Sequence, residues 1–343
     1  MGHVIGIDLG SQSLKGLLLD PAGRLIGEAS RSYDLAYPFP AWAQQDPADW
    51  WTAIRAVVGE LVAAAALAPG DVSALAFASQ VDGVVAVDVE GEDLHPAIIW
   101  LDRRAEAEAA ALGRRISPEA LFERSGLNLD SSHVAPKILW LRAHVPDAYA
   151  RAATLHLPGS WAVARLTGVS VVDHSNASST LLYDVRTRDW SDELLAAADV
   201  ERSRLPVVAA STAVAGTLTA HAAAELGLTT ACLVAVGSGD EHAACLGAGV
   251  LRAGPVCDIA GTAEPVAVAS DLPVFDRTGL VETHAHADPR SWLIENPGFV
   301  SGGSVRWFND TIGRILRDVG DRAGPDADDA AGALDRGIGL GQG

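Results

Sequence analysis

The sequence VIGIDLGSQSLKGLLLD, residues 4–20, contains the pattern from which the fold class follows. Its first seven residues form an apolar run that enters a glycine turn, and a second apolar run begins at Lys15. After a turn at residues 20–23, residues 25–33 have the composition of a third strand. Short apolar runs separated by glycine and aspartate turns are typical of hairpins. The chain is therefore predicted to begin with a three-stranded β-meander.

Helical and strand patterns alternate after this meander. Residues 49–68 have helical periodicity, and residues 74–79 have the composition of a short buried strand. Further helices are predicted at residues 103–115, 136–144 and 161–167. This alternation of strands and helices predicts an α/β architecture.

The same order of elements returns in the second part of the chain. An apolar run at residues 233–236 leads into the turn GSGD, residues 237–240, and then into a predicted helix over residues 241–251. Beyond residue 255, two apolar runs enclose a glycine turn at Gly261 and Thr262, and a last helix is predicted over residues 304–316. The repeat indicates two related halves. From residue 318 onward the chain is rich in aspartate and glycine, so we expect the second half to end before it closes a comparable core.

Length, charge and composition restrict the class of protein. The 343 residues are about twice the ~150 residues of a common single domain, so two domains are expected. With 49% hydrophobic and 20% charged residues, the chain is expected to fold. The 44 acidic residues outnumber the 25 basic ones and give a formal net charge of -19. Nucleic acid is therefore not an expected partner, because phosphate backbones require clustered cations.

Cysteine usage and apolar runs predict the compartment. The chain has three cysteines, Cys232, Cys245 and Cys257, and no two of them form a CxxC pair. An odd count without such a pair favours free thiols in a reducing environment over a set of disulfides or a zinc site. No run of 18 apolar residues occurs, and the N-terminus lacks a basic segment. The sequence therefore predicts a cytoplasmic protein without a membrane span.

The first glycine turn carries groups that can bind phosphate. Asp8 ends the first strand, and the turn then offers a glycine, two hydroxyls, an amide and a lysine: Gly10, Ser11, Gln12, Ser13 and Lys15. Backbone N–H groups in such a turn can point at phosphate oxygens, while Asp8 holds magnesium directly or through water. An ordinary polar hairpin is the alternative. No GxxxxGK[ST] motif is present, so the turn is not a P-loop, but Gly261 and Thr262 repeat its chemistry in the second half.

Asp240 is the candidate general base. It follows glycines that allow a ligand to approach the backbone closely, and it precedes a predicted helix. A hydroxyl that attacks a phosphoryl group must lose its proton, which a carboxylate can accept. A helix-capping aspartate is the alternative explanation. Glu241 beside it makes a pair of acids.

Three polar loops contain candidate sugar contacts. The segments are QVDG at residues 80–83, WLDRR at residues 100–104 and DHSNASS at residues 173–179. The first follows a strand, where α/β proteins bind their ligands. Acids, amides and aromatic side chains are suited to an uncharged polyol, although turns use the same polar residues for backbone reasons.

Five segments resemble the FGGY family of carbohydrate kinases, in particular its xylulokinase-like branch. They occur in the family's order across nearly the whole chain: GIDLGS (6–11), WAQQDPADWW (42–51), PAIIWLDRR (96–104), GSGD (237–240) and GT (261–262). The resemblance implies an α/β, actin-like (ribonuclease H-like) fold of two domains with ATP and sugar between them. The domains expected are a sugar-kinase domain at 1–248, an incomplete nucleotide-binding domain at 249–317 and a flexible tail at 318–343.

The resemblance also implies residue roles. Asp240 matches the catalytic base, Asp8 the carboxylate associated with Mg²⁺, and Gly261 with Thr262 the second phosphate turn. The predicted sugar contacts are Gln80, Asp82, Gly83, Asp102, Arg103 and Glu241.

Some positions depart from the family pattern. Asp82 stands where xylulokinases usually have histidine, and Glu241 stands where asparagine is common. A carboxylate in place of an imidazole changes which hydroxyls can be bound, so the sugar itself stays open. Family members also continue beyond this length with a glycine-rich adenosine loop, which we do not find here.

Two functions remain open from the sequence. The first is an ATP- and Mg²⁺-dependent kinase that phosphorylates a hydroxyl of a neutral ketose, such as xylulose, or of a polyol. The second is a sugar-binding or regulatory relative that lacks the adenosine site. An incomplete second domain would expose apolar strands, so we also expect association with a second copy as a homodimer.

Overall fold

A computed structural model describes residues 2–260, 264–298, 301–315 and 317. These residues form two compact units. Unit 1 contains the described residues of Met1–Cys257 and Ala267–Glu295, and unit 2 those of Asp258–Val266 and Asn296–Gly343. The predicted turn at Gly261 and Thr262 and the predicted tail from residue 318 lie outside the described residues. The domain division at residues 248 and 317 stays a prediction.

Strands and helices alternate along most of the described chain. The strands are β1 (His3–Leu9), β2 (Ser13–Leu19), β3 (Leu25–Ser32), β4 (Gln44–Gln45), β5 (Val72–Ser79), β6 (Val85–Val87), β7 (Ala97–Ile98), β8 (Thr154–His156), β9 (Val171–Asp173), β10 (Tyr183–Asp184), β11 (Asp189–Trp190), β12 (Val207–Ala209), β13 (Val214–Thr217), β14 (Leu233–Ala235), β15 (Ser238–Gly239), β16 (Val256–Asp258), β17 (Val266–Ser270), β18 (Glu282–Ala285) and β19 (Trp292–Asn296). The helices are α1 (Pro47–Ala64), α2 (Glu106–Leu112), α3 (Pro118–Ser125), α4 (Val134–His144), α5 (Pro146–Arg151), α6 (Pro158–Thr167), α7 (His174–Ser178), α8 (Asp192–Ala198), α9 (Ala220–Leu226), α10 (Asp240–Gly247) and α11 (Gly302–Phe308). A 3₁₀ turn at Arg202–Arg204 and a π-helical turn at Asn309–Gly313 complete the elements.

The central sheet of unit 1 confirms the predicted meander. Within the described residues it has seven strands in the order β13-β14-β5-β1-β2-β3, with β15 also paired to β5. β1, β2 and β3 are antiparallel neighbours, whereas β5 runs parallel to β1, β14 and β15. A second sheet, of four strands among these residues, has the order β16-β17-β19-β18.

Helix α1 packs on the meander through a stripe of apolar side chains. The Asp46 side chain accepts a hydrogen bond from Ala48 N and Pro47 occupies the first turn, which fixes the start of the helix. A Cβ atom on Gly16 would lie 2.4 Å from Val57 Cγ1, so glycine in β2 lets the helix approach the sheet. The buried side chains of α1 include Trp50, Ile54, Val57, Val58 and Leu61. Each valine, isoleucine or leucine among them contributes about 1.5–3 kcal/mol.

The predicted helices have different bounds in the structure; residues 103–115, for example, correspond to α2 (Glu106–Leu112), and residues 241–251 to α10 (Asp240–Gly247). α1 ends at Ala64 and not at residue 68, because Ala66 adopts a left-handed backbone with φ of 52°. In unit 2, the predicted helix over residues 304–316 is α11 followed by the π-helical turn. In the part of the chain that the structure describes, no helix is long and apolar enough to cross a membrane.

Candidate active site

Three parallel strands bring the predicted catalytic carboxylates to one edge of the central sheet. β5 lies between β1 and β15, with Ala78 opposite Asp8 and Ser79 opposite Gly239. Asp8 is the penultimate residue of β1, and Asp240 follows β15 directly. Ligands of α/β proteins bind at the carboxyl ends of such strands. This edge, which belongs to unit 1, is the candidate active site.

Asp8 and Lys15 form an ion pair at the first turn. They are register partners on β1 and β2, and Lys15 Nζ lies 3.9 Å from Asp8 Oδ2. Burial raises the pKa of the Asp8 carboxyl, and the charge of Lys15 opposes this shift. Asp8 Oδ1 is buried without a hydrogen-bond partner among the described residues. A carboxylate oxygen in that state is suited to a cation or to a water molecule bound to one.

The backbone of the turn between β1 and β2 is fixed by hydrogen bonds. Gly10 N donates to Ser13 O at 3.2 Å, and the Tyr33 hydroxyl donates to Gly10 O. Tyr33 N donates to Gln12 O at 3.3 Å. The predicted phosphate-binding residues Gly10, Gln12 and Ser13 therefore share one ordered turn.

Side chains from three other segments hold Ser11. Trp100 Nε1 donates to Ser11 Oγ at 2.7 Å, and Gln45 Nε2 donates to Ser11 O at 2.8 Å. Gln80 Nε2 in turn donates to Gln45 Oε1 at 2.9 Å. The amide N–H groups of Gln80 thus support the turn, while its buried Oε1 has no hydrogen-bond partner within the described ranges. Gln80 remains a predicted sugar contact through that oxygen.

Asp82 forms a buried pair with a histidine that the sequence analysis did not single out. His133 Nδ1 lies 3.2 Å from both Asp82 carboxylate oxygens. Burial alone would lower the pKa of His133, but the Asp82 carboxylate outweighs it and raises the pKa to about 9.

The backbone next to this pair is tightly packed. Asp82 has a left-handed φ of 57°. A Cβ atom on the following residue, Gly83, would lie 2.6 Å from Pro158 Cγ. Gly83 is therefore required for packing against α6.

Lys137 clamps the loop that carries Asp82. Its Nζ, in the buried α4, donates to Asp82 O at 2.6 Å, to Ile99 O at 2.8 Å and to Ser132 O. Burial lowers the pKa of Lys137 to about 8, against the nearby carboxylates of Asp82 and Asp102. All three ammonium protons are used, so this side chain fixes three segments and has no donor left for a ligand.

Asp102 and Arg103 make contacts within the protein. Both Asp102 carboxylate oxygens are engaged: Oδ1 accepts from Arg104 N at 2.8 Å, and Oδ2 accepts from Ala43 N at 2.5 Å and Arg104 Nε at 2.8 Å. Asp102 is fully buried. Arg103 forms an ion pair with Asp130. The structure thus gives Asp102 a structural role and does not bring it to the strand edge; its sugar contact stays a prediction, as does that of Arg103.

Asp240 begins α10 in a turn that only glycine permits. Gly237 has a φ of 86°, and a Cβ atom there would lie 2.3 Å from Phe77 O. Asp240 Oδ1 accepts a hydrogen bond from Glu241 N at 2.9 Å. Burial, followed by the charges of Glu241 and Asp8, raises the pKa of Asp240 to about 7. The carboxyl is therefore poised between its acid and base forms near neutral pH.

The polar loop at residues 173–179 supports this turn. Asp173 caps α7 by accepting from Asn176 N at 2.9 Å, and the Ser175 hydroxyl donates to Asp173. Ser175 Oγ also accepts from Gly239 N at 2.8 Å, directly before Asp240. This loop, a candidate sugar contact from the sequence, thus fixes the turn that precedes Asp240.

A group of acids and histidines, buried except for the half-buried Glu241, lies beside Asp240. We call it the acidic cluster, and its members are Asp82, His133, Glu241, His242, Glu282, His284 and Glu295. Glu282 and Glu295 are register partners on β18 and β19. His284 Nε2 lies 3.9 Å from Glu282 Oε2 and 3.8 Å from Glu295 Oε2.

Electrostatic interactions connect Glu241 to this cluster. Burial and the charge of Glu295 raise the pKa of Glu241 well above its usual range. Burial raises the pKa of Glu295 to about 7, and the charges of Glu282 and Asp82 act in the same direction. His242 Nδ1 lies 3.8 Å from Glu241 Oε1, and burial lowers the pKa of His242 well below its ordinary value. The cluster carries more acid groups than its surroundings can hold ionised.

Sequence reasoning missed Glu282, Glu295 and His133. No local pattern in the sequence indicates that Glu295 lies opposite Glu282 on the neighbouring strand. Asp82 in place of histidine was the available signal, because a buried carboxylate requires a partner. Such a partner, His133, comes from a segment 51 residues away along the chain.

Comparisons with known proteins identify the family of this chain. The family model described as "FGGY family of carbohydrate kinases, N-terminal domain" matches residues 3–247. A glycerol kinase from Nocardia farcinica is 30% identical over 322 residues, which cover 91% of this chain and 63% of the relative. A xylulose kinase from Escherichia coli K12 is 30% identical over 303 residues, which cover 88% of this chain and 62% of the relative.

A solved structure gives the same result for the fold. The xylulose kinase from Rhodospirillum rubrum superposes with a TM-score of 0.84 at 29% identity, covering 99% of this chain and 68% of that one. The resemblance and the α/β, actin-like fold class predicted from the sequence are thereby confirmed. The chain spans less than two thirds of the length of the two curated relatives.

Proposed function

We infer, from the premise that this chain belongs to the FGGY family of carbohydrate kinases, that its candidate active site serves ATP-dependent phosphorylation of a sugar or polyol hydroxyl. The acceptor we propose is a neutral ketose, such as xylulose, or a polyol. The observation that carries this proposal is Asp240, a carboxyl with a pKa of about 7 at the strand edge that also holds Asp8. The retention of both carboxylates favours an enzyme over a sugar-binding relative.

In this mechanism Asp240 accepts the proton of the attacking hydroxyl. Its Oδ1 is occupied by the N–H of Glu241, so Oδ2 is the atom that takes the proton. A base with a pKa near the working pH combines a sufficient ionised fraction with useful basicity. The hydrogen bond from Gly239 N to Ser175 keeps the turn in place while the proton moves.

The turn at Gly10 and the Asp8–Lys15 pair are proposed to bind the phosphate side. Asp8 Oδ1, buried and without a protein donor in the described part of the chain, fits a Mg²⁺ ion or its water ligand. When bound, Mg²⁺ neutralises phosphate charge. Lys15, opposite Asp8, adds a cation at the same turn. Serine and glycine at residues 10–13 leave room for phosphate oxygens near the backbone.

The negative charge of the site restricts the acceptor. Asp82, Asp240 and Glu241 repel anions in a partly desolvated environment. We therefore expect neutral sugars or polyols to bind, and aldonates and sugar phosphates to be rejected. A thermal-shift screen that includes xylulose, glycerol, gluconate and xylulose 5-phosphate tests this expectation, and stronger stabilisation by either anion would contradict it.

The kinase proposal is tested by ADP formation from the purified chain with ATP, Mg²⁺ and a panel of ketoses and polyols. We expect release that requires the acceptor and that is lost in Asp240→Asn. Glu28→Gln, on the exposed face of edge strand β3, is the matched control for a lost carboxylate. The absence of acceptor-dependent ADP with every panel member, from a folded protein, would contradict the proposal.

A further inference from the structure

The acidic cluster contains buried polar atoms that the protein itself does not satisfy. His284 is 6% exposed and His242 1% exposed, and neither ring has a hydrogen-bond partner at either nitrogen in the described ranges. Glu295, 5% exposed, has Oε2 in the same condition. Buried polar groups are normally paired, so several orphaned atoms in one place indicate a site for a ligand group.

Three side chains next to the cluster that could donate hydrogen bonds, His133, Lys137 and Asn128, already have partners within the protein. His133 is paired with Asp82, and Lys137 donates all its protons to carbonyl oxygens. Asn128 donates from its backbone and its side chain to Glu282 Oε1, both at 2.9 Å. Burial, followed by the charge of Glu295, raises the pKa of Glu241 well above its usual range, and burial raises the pKa of Glu295 to about 7.

A polar group bound at the acidic cluster would meet carboxylate oxygens and imidazole nitrogens without partners among the described residues. An ammonium group supplies three N–H donors and one positive charge, and both are what Glu241, Glu295 and His284 lack. A metal ion is a poorer fit, because no group of three or more His, Cys, Asp or Glu side chains among the described residues is arranged to hold one. A carbonyl oxygen would face the carboxylates without a gain in charge compensation.

We propose, building on the kinase function proposed above, that the acidic cluster is a subsite for the ammonium group of an amino-bearing polyol. The hydroxyl that is phosphorylated lies at Asp240, and the ammonium group lies between Glu241, Glu295 and His284. The two positions that depart from the xylulokinase pattern, Asp82 and Glu241, both belong to this cluster. Entry of the cation is expected to displace a proton from the Glu241 or the Glu295 carboxyl.

Matched pairs of probes test the charge alone. The pairs are serinol (2-amino-1,3-propanediol) against glycerol, and glucamine (1-amino-1-deoxysorbitol) against sorbitol. Calorimetry on the full chain is run in two buffers of different ionisation enthalpy, neither of them a primary amine. We expect the amine to bind at least about tenfold more tightly than its neutral partner, since hydrogen bonds between charged groups are stronger than those between neutral ones. We also expect binding of the amine to release a proton to the buffer.

Variants assign the preference to the cluster. Glu241→Gln and Glu295→Gln each remove one carboxylate at nearly constant shape, and each is expected to abolish the tenfold preference and the proton release. Glu28→Gln is the control with the same change of net charge, and it should keep both. Equal or tighter binding of the neutral probes by the unmodified chain, or the same loss in Glu28→Gln, would overturn the subsite.

The outcomes separate this inference from the kinase function. Acceptor-dependent ADP formation without any preference for amines would refute the subsite and leave the kinase proposal standing. Preferential binding of amines with no ADP formation from any acceptor would support the subsite and refute the kinase proposal. The comparison of the unmodified protein with paired probes needs no variant, so a poorly folding Glu295→Gln protein does not prevent the test.

Discussion

The first turn and the acidic cluster lie at the same edge of the central sheet, but their residues are brought together in different ways. The turn at residues 8–15 connects two adjacent strands, and hydrogen bonds to its backbone fix it around a single exposed ion pair. The acidic cluster combines residues from five separate segments, and its members are buried except for the half-buried Glu241. A turn formed by one local segment can therefore place its polar groups with little burial of charge. The acidic cluster, in contrast, depends on packing between segments that are far apart in the chain.

The largest expected effect is at Asp240, which stands between the two regions. Asp240→Asn keeps the shape of the side chain and removes its basicity. We expect turnover to fall at least ~100-fold, the lower limit for loss of a general base. Steady-state kinetics measures it, with circular dichroism to establish folding. Turnover close to that of the unmodified chain would remove Asp240 from the mechanism.

Substitutions of Lys137 and Lys15 are expected to lower the free energy of unfolding by different amounts. Lys137→Met leaves the carbonyl oxygens of Asp82, Ile99 and Ser132 without their shared donor, at a cost of about 1–3 kcal/mol per unsatisfied group. We expect the free energy of unfolding to fall by about 3 kcal/mol in urea denaturation. The matched variant Lys15→Met loses only an exposed ion pair, which contributes about 0–1 kcal/mol. Equal losses in the two variants would show that the buried hydrogen bonds of Lys137 contribute no more stability than the exposed ion pair of Lys15.

The acidic cluster also sets the pH dependence of the base. Asp240 must be ionised to accept a proton, so kcat/KM should rise with pH to a midpoint near 7. Glu241→Gln removes a neighbouring negative charge, which lowers the pKa of Asp240 and moves the midpoint to lower pH. A pH–rate profile for both proteins measures the shift. An unchanged midpoint would show that Glu241 does not act on the base.

The smallest effect is expected at the packing glycine of the turn region. Gly16→Ala adds a Cβ atom 2.4 Å from Val57 Cγ1 and 3.0 Å from Leu61 Cδ1, so α1 must shift. We expect a loss of about 1–3 kcal/mol for this overpacking, with catalysis affected less than stability. The combination Gly16→Ala with Val57→Ala is the control, because it removes the atom that clashes. Thermal unfolding compares them, and a more stable single variant would contradict the packing argument.

Sequence reasoning predicted the turn better than the cluster for a physical reason. Asp8, Gly10 and Lys15 are close in the chain, and a strand–turn–strand pattern is sufficient to bring them together. The same is true of Asp240, whose glycines and helix start are local signals. Glu295 and His133 reach the cluster only through the packing of β19 and α4, and no local pattern encodes that meeting. Asp102 could not be assigned from sequence for the same reason, because a loop aspartate beside arginines has the same sequence appearance whether it binds a ligand or is buried with an arginine, as Asp102 is with Arg104.

The chemical modification of the buried Lys137 can report on motion of the loops that surround it. Lys15 and Lys137 are its only lysines, and one side chain is 65% exposed while the other is completely buried. An amine-reactive reagent therefore modifies the folded protein at Lys15 first, and modification of Lys137 requires the loops at residues 82, 99 and 132 to separate. The ratio of the two modified peptides in mass spectrometry reports how often these loops separate, and ligands that hold them together can be ranked by that ratio without an activity assay.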